Sequence, residues 1–308
     1  MTGCLRHVIA GWTTVFVCGL APAAALAQAT AASQSSASTP TTFIPAIVTN
    51  QQGSPVPGLD QSAFAVREGD RSIPITSFSL ESGPVGLVLV VDASASVGDT
   101  ALSNVRESIR RIVQSTHRES EFFVIGLAGE VRALDWTADR TRVLSALDDL
   151  TQLRKAAPRG MATPLHDGVL RGVAAAEQSR FRKRAVIIIS DGMDTRSRAT
   201  RDDAEAALRA TSAVVYSMML ESTQPAMPRL GLMRLADVTG GRAFNVDDPG
   251  DWTAATDRIA ADLQHVYLIG VNPDVSRRGW RRVSVALASP PGERLTVRSR
   301  TGYVVPRR

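Results

Sequence analysis

The segment Val85-Gly86-Leu87-Val88-Leu89-Val90-Val91-Asp92-Ala93-Ser94-Ala95-Ser96 is the most informative part of this 308-residue chain. Residues 85–91 are apolar without alternation, a pattern typical of a parallel strand whose two faces are both covered. The apolar run stops at Asp92, so the chain should leave the sheet there. A strand of this kind predicts a sheet with helices packed on each side of it.

Helical and strand-like segments alternate after this strand. Helices are predicted at 100–115, 141–150, 164–178, 202–212, 227–238 and 251–263. Further strands are predicted at 122–127, near Val131, and at 185–189, 214–219 and 242–245. This alternation predicts an α/β fold: a doubly wound, Rossmann-like and mostly parallel sheet with helices on both faces. We place this domain at 81–264.

Short strand-like runs flank the α/β domain on both sides. In the N-terminal β-segment, 43–80, Gly69-Asp70 separates the apolar runs 64–66 and 73–75, which predicts a hairpin turn. The C-terminal β-segment, 265–308, has strand patterns at 265–271, 280–286 and 294–298. The simplest arrangement pairs the two segments into one small β-sandwich-like adjunct, into which the α/β domain is inserted.

The first 27 residues resemble a cleavable export signal. Arg6 and His7 precede an apolar span with an A-x-A end at 25–27. A membrane anchor is the alternative, but the uninterrupted apolar core is shorter than the ~20 residues that span a bilayer. We expect an exported protein, periplasmic or extracellular, without an integral membrane segment after cleavage. Residues 28–42 are small and polar, which predicts a disordered linker.

Composition excludes a disordered or fibrous chain, because 44% of the residues are apolar and 21% are charged. Both cysteines, Cys4 and Cys18, lie in the export signal, so the remainder can form no disulfide. The formal charge is +5, and only two of the 35 Lys and Arg residues are lysines. In an exported protein this balance favours anionic partner or envelope surfaces over nucleic acid. The basic runs at 180–184 and 277–282 are expected to be solvated.

Oxygen-bearing side chains follow two of the predicted buried strands. Asp92, Ser94 and Ser96 come after the first, and in an extended loop residues two apart point the same way. Asp191 follows a later strand and places a second carboxylate at the same edge of the sheet. Doubly wound folds bind ligands at this edge, where the strand order reverses.

Thr163 and Pro164 mark a predicted helix start between these two strands. A Thr at such a position is ordinarily an N-cap, and Pro suits the first helical position. Taken alone, this pattern indicates a structural role for Thr163.

The joint order of these segments is specific. Asp-x-Ser-x-Ser follows an apolar strand, Gly-x-x-Thr-Pro-Leu-x-Asp occupies 160–167, and a second strand ends in Ser-Asp-Gly at 190–192. This order resembles the von Willebrand factor type A domain with its metal-ion-dependent adhesion site. The resemblance covers about 81–264.

The resemblance assigns roles to five side chains. It implies that Ser94, Ser96 and Thr163 bind a divalent cation directly, whereas Asp92 and Asp191 act mainly through bound water. A partly hydrated, six-coordinate oxygen site suits Mg2+, with Ca2+ or Mn2+ as alternatives. Neutral hydroxyl ligands leave the cation electron-poor. The resemblance further implies that its open position binds an acidic side chain of a protein partner.

The flanking segments also resemble known proteins. Residues 58–69 and 73–78 are similar to the leader of exported bacterial von Willebrand factor A-related proteins, a type abundant in Acidobacteria. Residues 267–273 and 298–303 resemble the closing segment of that group. In the von Willebrand factor type A family, movement of the final helix couples the metal face to neighbouring domains. We therefore expect partner binding to shift the β-adjunct.

Five residues beside the motif need separate interpretation. His166 could act as a ligand or base, but a solvated position in the first helical turn is expected. Asp167 should act structurally at the positive end of the helix dipole, and Asp194 should lie at the rim without binding metal. Ala95 and Val97 replace the Gly and Met that are common in the family. These replacements leave the five coordinating positions intact.

The leading hypothesis is a binding module that captures a partner through its cation, and not an enzyme. One alternative is a structural scaffold of an envelope assembly with a non-functional metal site. Another is a metal-dependent hydrolase, because Ser, His and Asp lie close to the site. Against catalysis, the chain has no Gly-x-Ser-x-Gly elbow, and no Gly-x-Gly-x-x-Gly follows a strand.

Overall fold

The computed structural model describes residues 41–94, 96–156, 162–221, 231, 236–288 and 294–305. Several sequence predictions fall outside this part of the chain: the export signal with both cysteines, the linker up to residue 40, and most of the helix expected at 227–238. Among the described helices, none is both long enough and apolar enough to cross a bilayer.

The described residues form fourteen strands and five helices of at least ten residues. The strands are β1 Thr42–Thr49, β2 Phe64–Glu68, β3 Arg71–Ile73, β4 Ile75–Glu81, β5 Gly86–Asp92, β6 Glu121–Leu127, β7 Val131–Thr137, β8 Arg184–Ser190, β9 Val214–Met219, β10 Arg242–Asn245, β11 Val266–Val271, β12 Gly279–Leu287, β13 Thr296–Ser299 and β14 Gly302–Val305. The helices are α1 Asp99–Ser115, α2 Arg140–Ala156, α3 Leu165–Gln178, α4 Arg201–Ala210 and α5 Pro249–Gln264.

Six strands form the central sheet in the order β10-β9-β8-β5-β6-β7. All neighbours are parallel except β6 and β7, an antiparallel pair at one edge. The chain adds β6 and β7 on one side of β5, and then crosses to the other side to add β8, β9 and β10. The strand order therefore reverses beside β5. The predicted doubly wound, mostly parallel sheet is confirmed.

Helices cover both faces of this sheet. Leu87, Leu89 and Val91 of β5 belong to one buried core with residues of α1, α2 and α5. Val88 and Val90 belong to a second core with residues of α3 and α4. Successive strand side chains point to opposite faces, so a strand covered on both sides is apolar throughout.

Two glycines bring α3 close to the sheet and orient it. A Cβ atom on Gly172 would lie 3.0 Å from Val90, and one on Gly168 would lie 2.5 Å from Leu127, the last residue of β6. Leu127 ends its strand, whereas Val90 lies before the end of β5. From Gly168 to Gly172, α3 therefore passes from the strand ends toward the strand starts, and it runs antiparallel to the strands. Its first turn, and Thr163 just before it, therefore lie at the carboxyl edge of the sheet.

The flanking segments form two further four-stranded sheets, ordered β13-β1-β11-β4 and β14-β12-β2-β3. Each sheet combines strands from both ends of the chain; β11, for example, lies antiparallel between β1 and β4. Side chains of the two sheets share one buried core that includes Ile44, Phe64, Tyr267 and Val283. The chain therefore carries the expected β-sandwich-like adjunct.

The apolar run 73–75 is divided between two strands, although the sequence predicts one hairpin arm there. β3 ends at Ile73 and pairs with β2, whereas β4 begins at Ile75 and pairs with β11 in the other sheet. Pro74 has no N–H to donate to a strand ladder, so it separates the two strands. The expected hairpin turn joins β2 to β3, with Gly69 at φ 57°.

The prediction that both basic runs are solvated is wrong for three of their residues. The side chain of Arg184 is only 20% exposed and pairs with Glu177. Lys183 is only 3% exposed. Arg281 points into the sandwich, where it bonds with the buried carboxylate of Glu68. The sequence shows where basic residues cluster, but not which of their side chains have buried partners.

Candidate metal site

Asp92, the last residue of β5, is completely buried. Its Oδ1 accepts a hydrogen bond from the backbone N–H of Ser94 at 2.9 Å, and its Oδ2 accepts one from Ser190 Oγ at 2.8 Å. Burial raises the pKa of Asp92 from 3.8 to about 6, and the negative charge of Asp191 adds to the rise. Hydrogen bonds from Ser94 and Ser190 act in the opposite direction.

The loop after β5 turns back on itself. The N–H of Val97 donates to the carbonyl oxygen of Ser94 at 3.2 Å. Ser94 Oγ and Ser96 Oγ lie 3.0 Å apart, with Ser94 buried and Ser96 exposed. The structure thus brings Asp92, Ser94 and Ser96 together, but through a turn and not through the extended alternation that the sequence predicted.

Thr163 lies in the segment that leads into α3 and is 3% exposed. Its N–H donates to Thr195 Oγ1 at 2.8 Å, and its carbonyl oxygen accepts from the N–H of Thr195 at 2.9 Å. α3 begins at Leu165, with Pro164 in the cap position. The predicted N-cap role of Thr163 and the first helical position of Pro164 are therefore wrong. No described residue forms a hydrogen bond with the Thr163 hydroxyl.

Asp191 directly follows β8 and is 2% exposed. Its Oδ1 accepts from the N–H of Met193 at 2.9 Å, which closes a tight turn over Gly192 at φ 86°. Ser190 Oγ, which donates to Asp92, also accepts from the N–H of Gly192 at 3.0 Å. Two carboxylates are thus held at the ends of the neighbouring strands β5 and β8.

The loop that follows Asp191 is fastened to the first turn of α3. Asp167 accepts hydrogen bonds from the N–H groups of Ala199 at 2.9 Å and Arg198 at 3.0 Å. Together with the paired backbones of Thr163 and Thr195, these bonds align the two segments. The expected structural role of Asp167 agrees with these contacts.

His166 also faces this loop. Its side chain is 21% exposed, and Nδ1 lies 3.5 Å from Asp194 Oδ2. Asp194 further accepts from Ser197 Oγ at 2.5 Å and from the N–H of His166 at 3.3 Å. The prediction of a solvated His166 is wrong, because a carboxylate from the neighbouring loop packs against the ring.

The residue types of these donors suit a hard divalent cation, and the spacing of one pair of them fits as well. Two carboxylates and three hydroxyls are oxygen donors of the kind that Mg2+ binds, and neighbouring octahedral ligands at about 2.0–2.1 Å from Mg2+ lie about 2.9–3.0 Å apart. Ser94 Oγ and Ser96 Oγ form a hydrogen bond at 3.0 Å, and this separation also matches the octahedral value. Among the described residues, His, Cys, Asp and Glu side chains form no metal-binding group of three or more. The hydroxyls are therefore essential to the fit.

Sequence reasoning assigned no role to two residues that support the site. Ser190 bonds with Asp92 from 98 positions away, and its only local signal is that it precedes Asp191. Thr195 bonds with Thr163 across 32 positions, and the sequence contains no signal for that contact. Both act on other residues of the site through hydrogen bonds.

Comparison with protein families identifies part of the chain. Residues 87–193 match the family model described as the von Willebrand factor type A domain, and this segment includes all five candidate residues. A comparison with curated proteins gave no match.

Several solved structures are similar to this chain. A von Willebrand factor type A protein from Catenulispora acidiphila has 12% identity and a TM-score of 0.48, with 80% of this chain and 75% of that chain covered. The conserved hypothetical protein BatB from Bacteroides thetaiotaomicron has 16% identity and a TM-score of 0.46, covering 58% and 98%. Manganese-loaded TRAP from Plasmodium vivax has 15% identity and a TM-score of 0.42, covering 72% and 96%. At these identities the similarity concerns the fold alone.

Proposed function

We propose that this chain, which contains a von Willebrand factor type A domain, is an exported protein that binds a protein partner through a divalent cation. Ser94, Ser96 and Thr163 would hold the cation directly, with Asp92 and Asp191 acting through bound water. Mg2+ is the first candidate, and Ca2+ and Mn2+ are alternatives. When bound, the cation supplies a Lewis-acidic position for an acidic side chain of the partner.

The observation that carries this proposal is the pairing of Ser94 Oγ and Ser96 Oγ at 3.0 Å beside the fully buried carboxylate of Asp92. A buried carboxylate is costly, and the two hydrogen bonds that Asp92 accepts compensate its charge only in part, because its pKa is still raised to about 6. Within the described residues, no Lys, Arg or His side chain forms an ion pair with Asp92 or Asp191. A cation at this position would supply the missing positive charge.

Exposure of the donors supports a site that is open on one side. Asp92, Ser94, Thr163 and Asp191 are buried, whereas Ser96 is exposed. The candidate site therefore meets solvent on the side of Ser96, where a partner side chain can approach. Because the three proposed direct ligands are neutral hydroxyls, a bound cation keeps much of its charge available for a partner carboxylate.

Removal of one hydroxyl tests the proposed ligand set. Thr163→Ala deletes a direct ligand without changing the charge of the site, so we expect Mg2+ and Mn2+ to bind at least tenfold more weakly in calorimetric titrations. Thr253→Ala is the matched control, because Thr253 is exposed on α5; it should leave affinity unchanged. Equal cation affinity in wild type and Thr163→Ala, or no cation binding by wild type, would contradict the proposal.

Partner capture is tested with the same variants. Wild-type protein and Thr253→Ala should retain a partner from envelope or culture fractions in Mg2+ and release it in chelator, whereas Thr163→Ala should not retain it. Retention that survives chelator would contradict a role for the cation in binding. A scaffold with a non-functional site predicts neither cation binding nor chelator-sensitive retention.

A further inference from the structure

A cavity of about 270 Å3 lies at the opposite end of the central sheet from the candidate metal site. Its walls include the C-terminal end of α1 and the two places where the chain passes between the sandwich strands and the α/β domain. Lys183, directly before β8, also lines it, and Asp191 directly follows β8. The seven residues of β8 separate the two sites by about 23 Å, so the cavity is a distinct place in the fold.

Lys183 is the only ammonium that lines this cavity among the described residues, and it is 3% exposed. Its Nζ donates to the carbonyl oxygens of Leu263 at 3.0 Å and Glu81 at 3.3 Å. An ammonium carries three N–H donors, so one donor remains beyond these two bonds. No described carboxylate forms an ion pair with Lys183.

The charge of Lys183 is therefore poorly compensated inside the fold. Burial lowers the pKa of its amine from 10.5 to about 8, and the negative charge of Glu81 offsets only part of this effect. A buried cation is stabilised most by an anion that pairs with it directly. A ligand with negative charge would provide that partner.

Two histidines add donors to the same cavity. His117 Nδ1 accepts a hydrogen bond from the N–H of Glu119 at 3.2 Å, so the neutral ring carries its proton on Nε2 and can donate it to a ligand. His265 Nδ1 is buried and bonds with no described residue. None of the described residues that line the cavity is acidic. The side chains of the lining are therefore neutral or basic, and Glu81, whose negative charge acts on Lys183, lies one residue outside the lining.

We propose that this cavity binds a small oxyanion, a carboxylate or a phosphate, through Lys183, His117 and His265. This site is separate from the proposed cation site and does not depend on it. The oxyanion accepts the remaining Lys183 donor and the imidazole N–H groups. Because the ligand binds the folded chain and not the unfolded one, it should raise the thermal midpoint with its concentration.

Calorimetric titration with inorganic phosphate and with acetate, in metal-free buffer at constant chloride, tests the proposal. We expect saturable binding of at least one anion, weakened at least tenfold by Lys183→Met. Lys155→Met is the matched control, because Lys155 is the only other lysine of the chain and is exposed on α2. It should bind as wild type does. The anion that binds more tightly shows whether the cavity prefers a tetrahedral phosphate or a planar carboxylate.

A second variant keeps the test decisive if Lys183→Met does not fold. His117 is exposed, so His117→Ala should fold normally and weaken anion binding about threefold. The anion titrations use metal-free buffer and the cation titrations use other variants, so failure of one proposal is distinguishable from failure of the other. The inference is overturned if neither anion binds saturably to wild type, or if folded Lys183→Met and His117→Ala bind as wild type does.

Discussion

A buried ion pair shows how single residues connect the two parts of this molecule. Asp262 on α5 is fully buried, and its Oδ2 accepts from a guanidinium nitrogen of Arg298 on β13 at 2.6 Å. Arg298 also donates to the carbonyl oxygen of Gly240 at 3.3 Å. The pair therefore links the last helix of the α/β domain to a strand of the sandwich.

Removing one member of this pair should be costly. Arg298→Met leaves the Asp262 carboxylate buried without its cation, so we expect the free energy of unfolding to fall by ~3–5 kcal/mol. Replacing both partners, with Asp262→Leu added, should restore most of the loss. Denaturant titrations of the single and double variants measure both effects.

An exposed pair provides the control for this prediction. Arg106 and Asp148 lie 2.5 Å apart, a similar distance, but their side chains are 40% and 52% exposed. Arg106→Met should cost only ~0–1 kcal/mol, because solvent screens the lost attraction. Equal losses for Arg106→Met and Arg298→Met would show that burial does not determine the strength of these pairs.

At the scale of elements, α3 positions the loop that follows β8. Asp167, in the first turn of α3, accepts the N–H groups of Arg198 and Ala199. The neighbouring backbone pair of Thr163 and Thr195 keeps the same two segments aligned. The place of Thr163 in the candidate metal site therefore depends on contacts outside that site.

Loss of these contacts should loosen the loop and weaken the site together. Asp167→Ala leaves two backbone N–H groups without their acceptor, so we expect a loss of ~1–3 kcal/mol in the free energy of unfolding. Hydrogen exchange should become faster at 195–199, and Mg2+ affinity should fall several-fold. Asp202→Ala, at an exposed position in the first turn of α4, should change neither measurement. Unchanged exchange in Asp167→Ala would contradict this assignment.

Most elements were predictable because their patterns are local. The continuous apolar run at 85–91 follows from burial on both faces of one strand. The helical spacing of the apolar residues in α1 follows from burial of one face of that helix. Element ends were less predictable: α2 extends to Ala156, six residues past the predicted end. The division at Pro74 depends on pairing with β2 and β11, partners that the run 73–75 does not reveal.

At the scale of the whole molecule, the sandwich pairs strands from the N-terminal segment with strands from the C-terminal segment. β11 supplies hydrogen-bond partners to both β1 and β4, and β12 supplies them to β2. Neither chain end can therefore complete a sheet without the other. The α/β domain is inserted between two halves of one structure.

Truncation tests this dependence. In a chain that ends at Gln264, β1, β2 and β4 lose their C-terminal partners, so we expect 42–81 to become sensitive to protease. Limited proteolysis followed by mass spectrometry measures the change. A chain that lacks only 306–308 keeps all fourteen strands and should stay protected. Equal protection of 42–81 in both truncated chains would show that the N-terminal strands are stable alone.

Local pattern was sufficient for the α/β class, because it rests on the periodicity of neighbouring residues. The choice of five candidate donors also rests on the order of short motifs, and it stays a prediction. Contacts between distant residues were not predictable: Ser190 and Asp92 are 98 positions apart, and Lys183 and Leu263 are 80 apart. Whether a charged side chain is buried depends on such contacts. Lys183 has the sequence context of a solvated cation, but in the folded chain it bonds with the carbonyl oxygen of Leu263 at the end of α5 and lines a cavity of about 270 Å3.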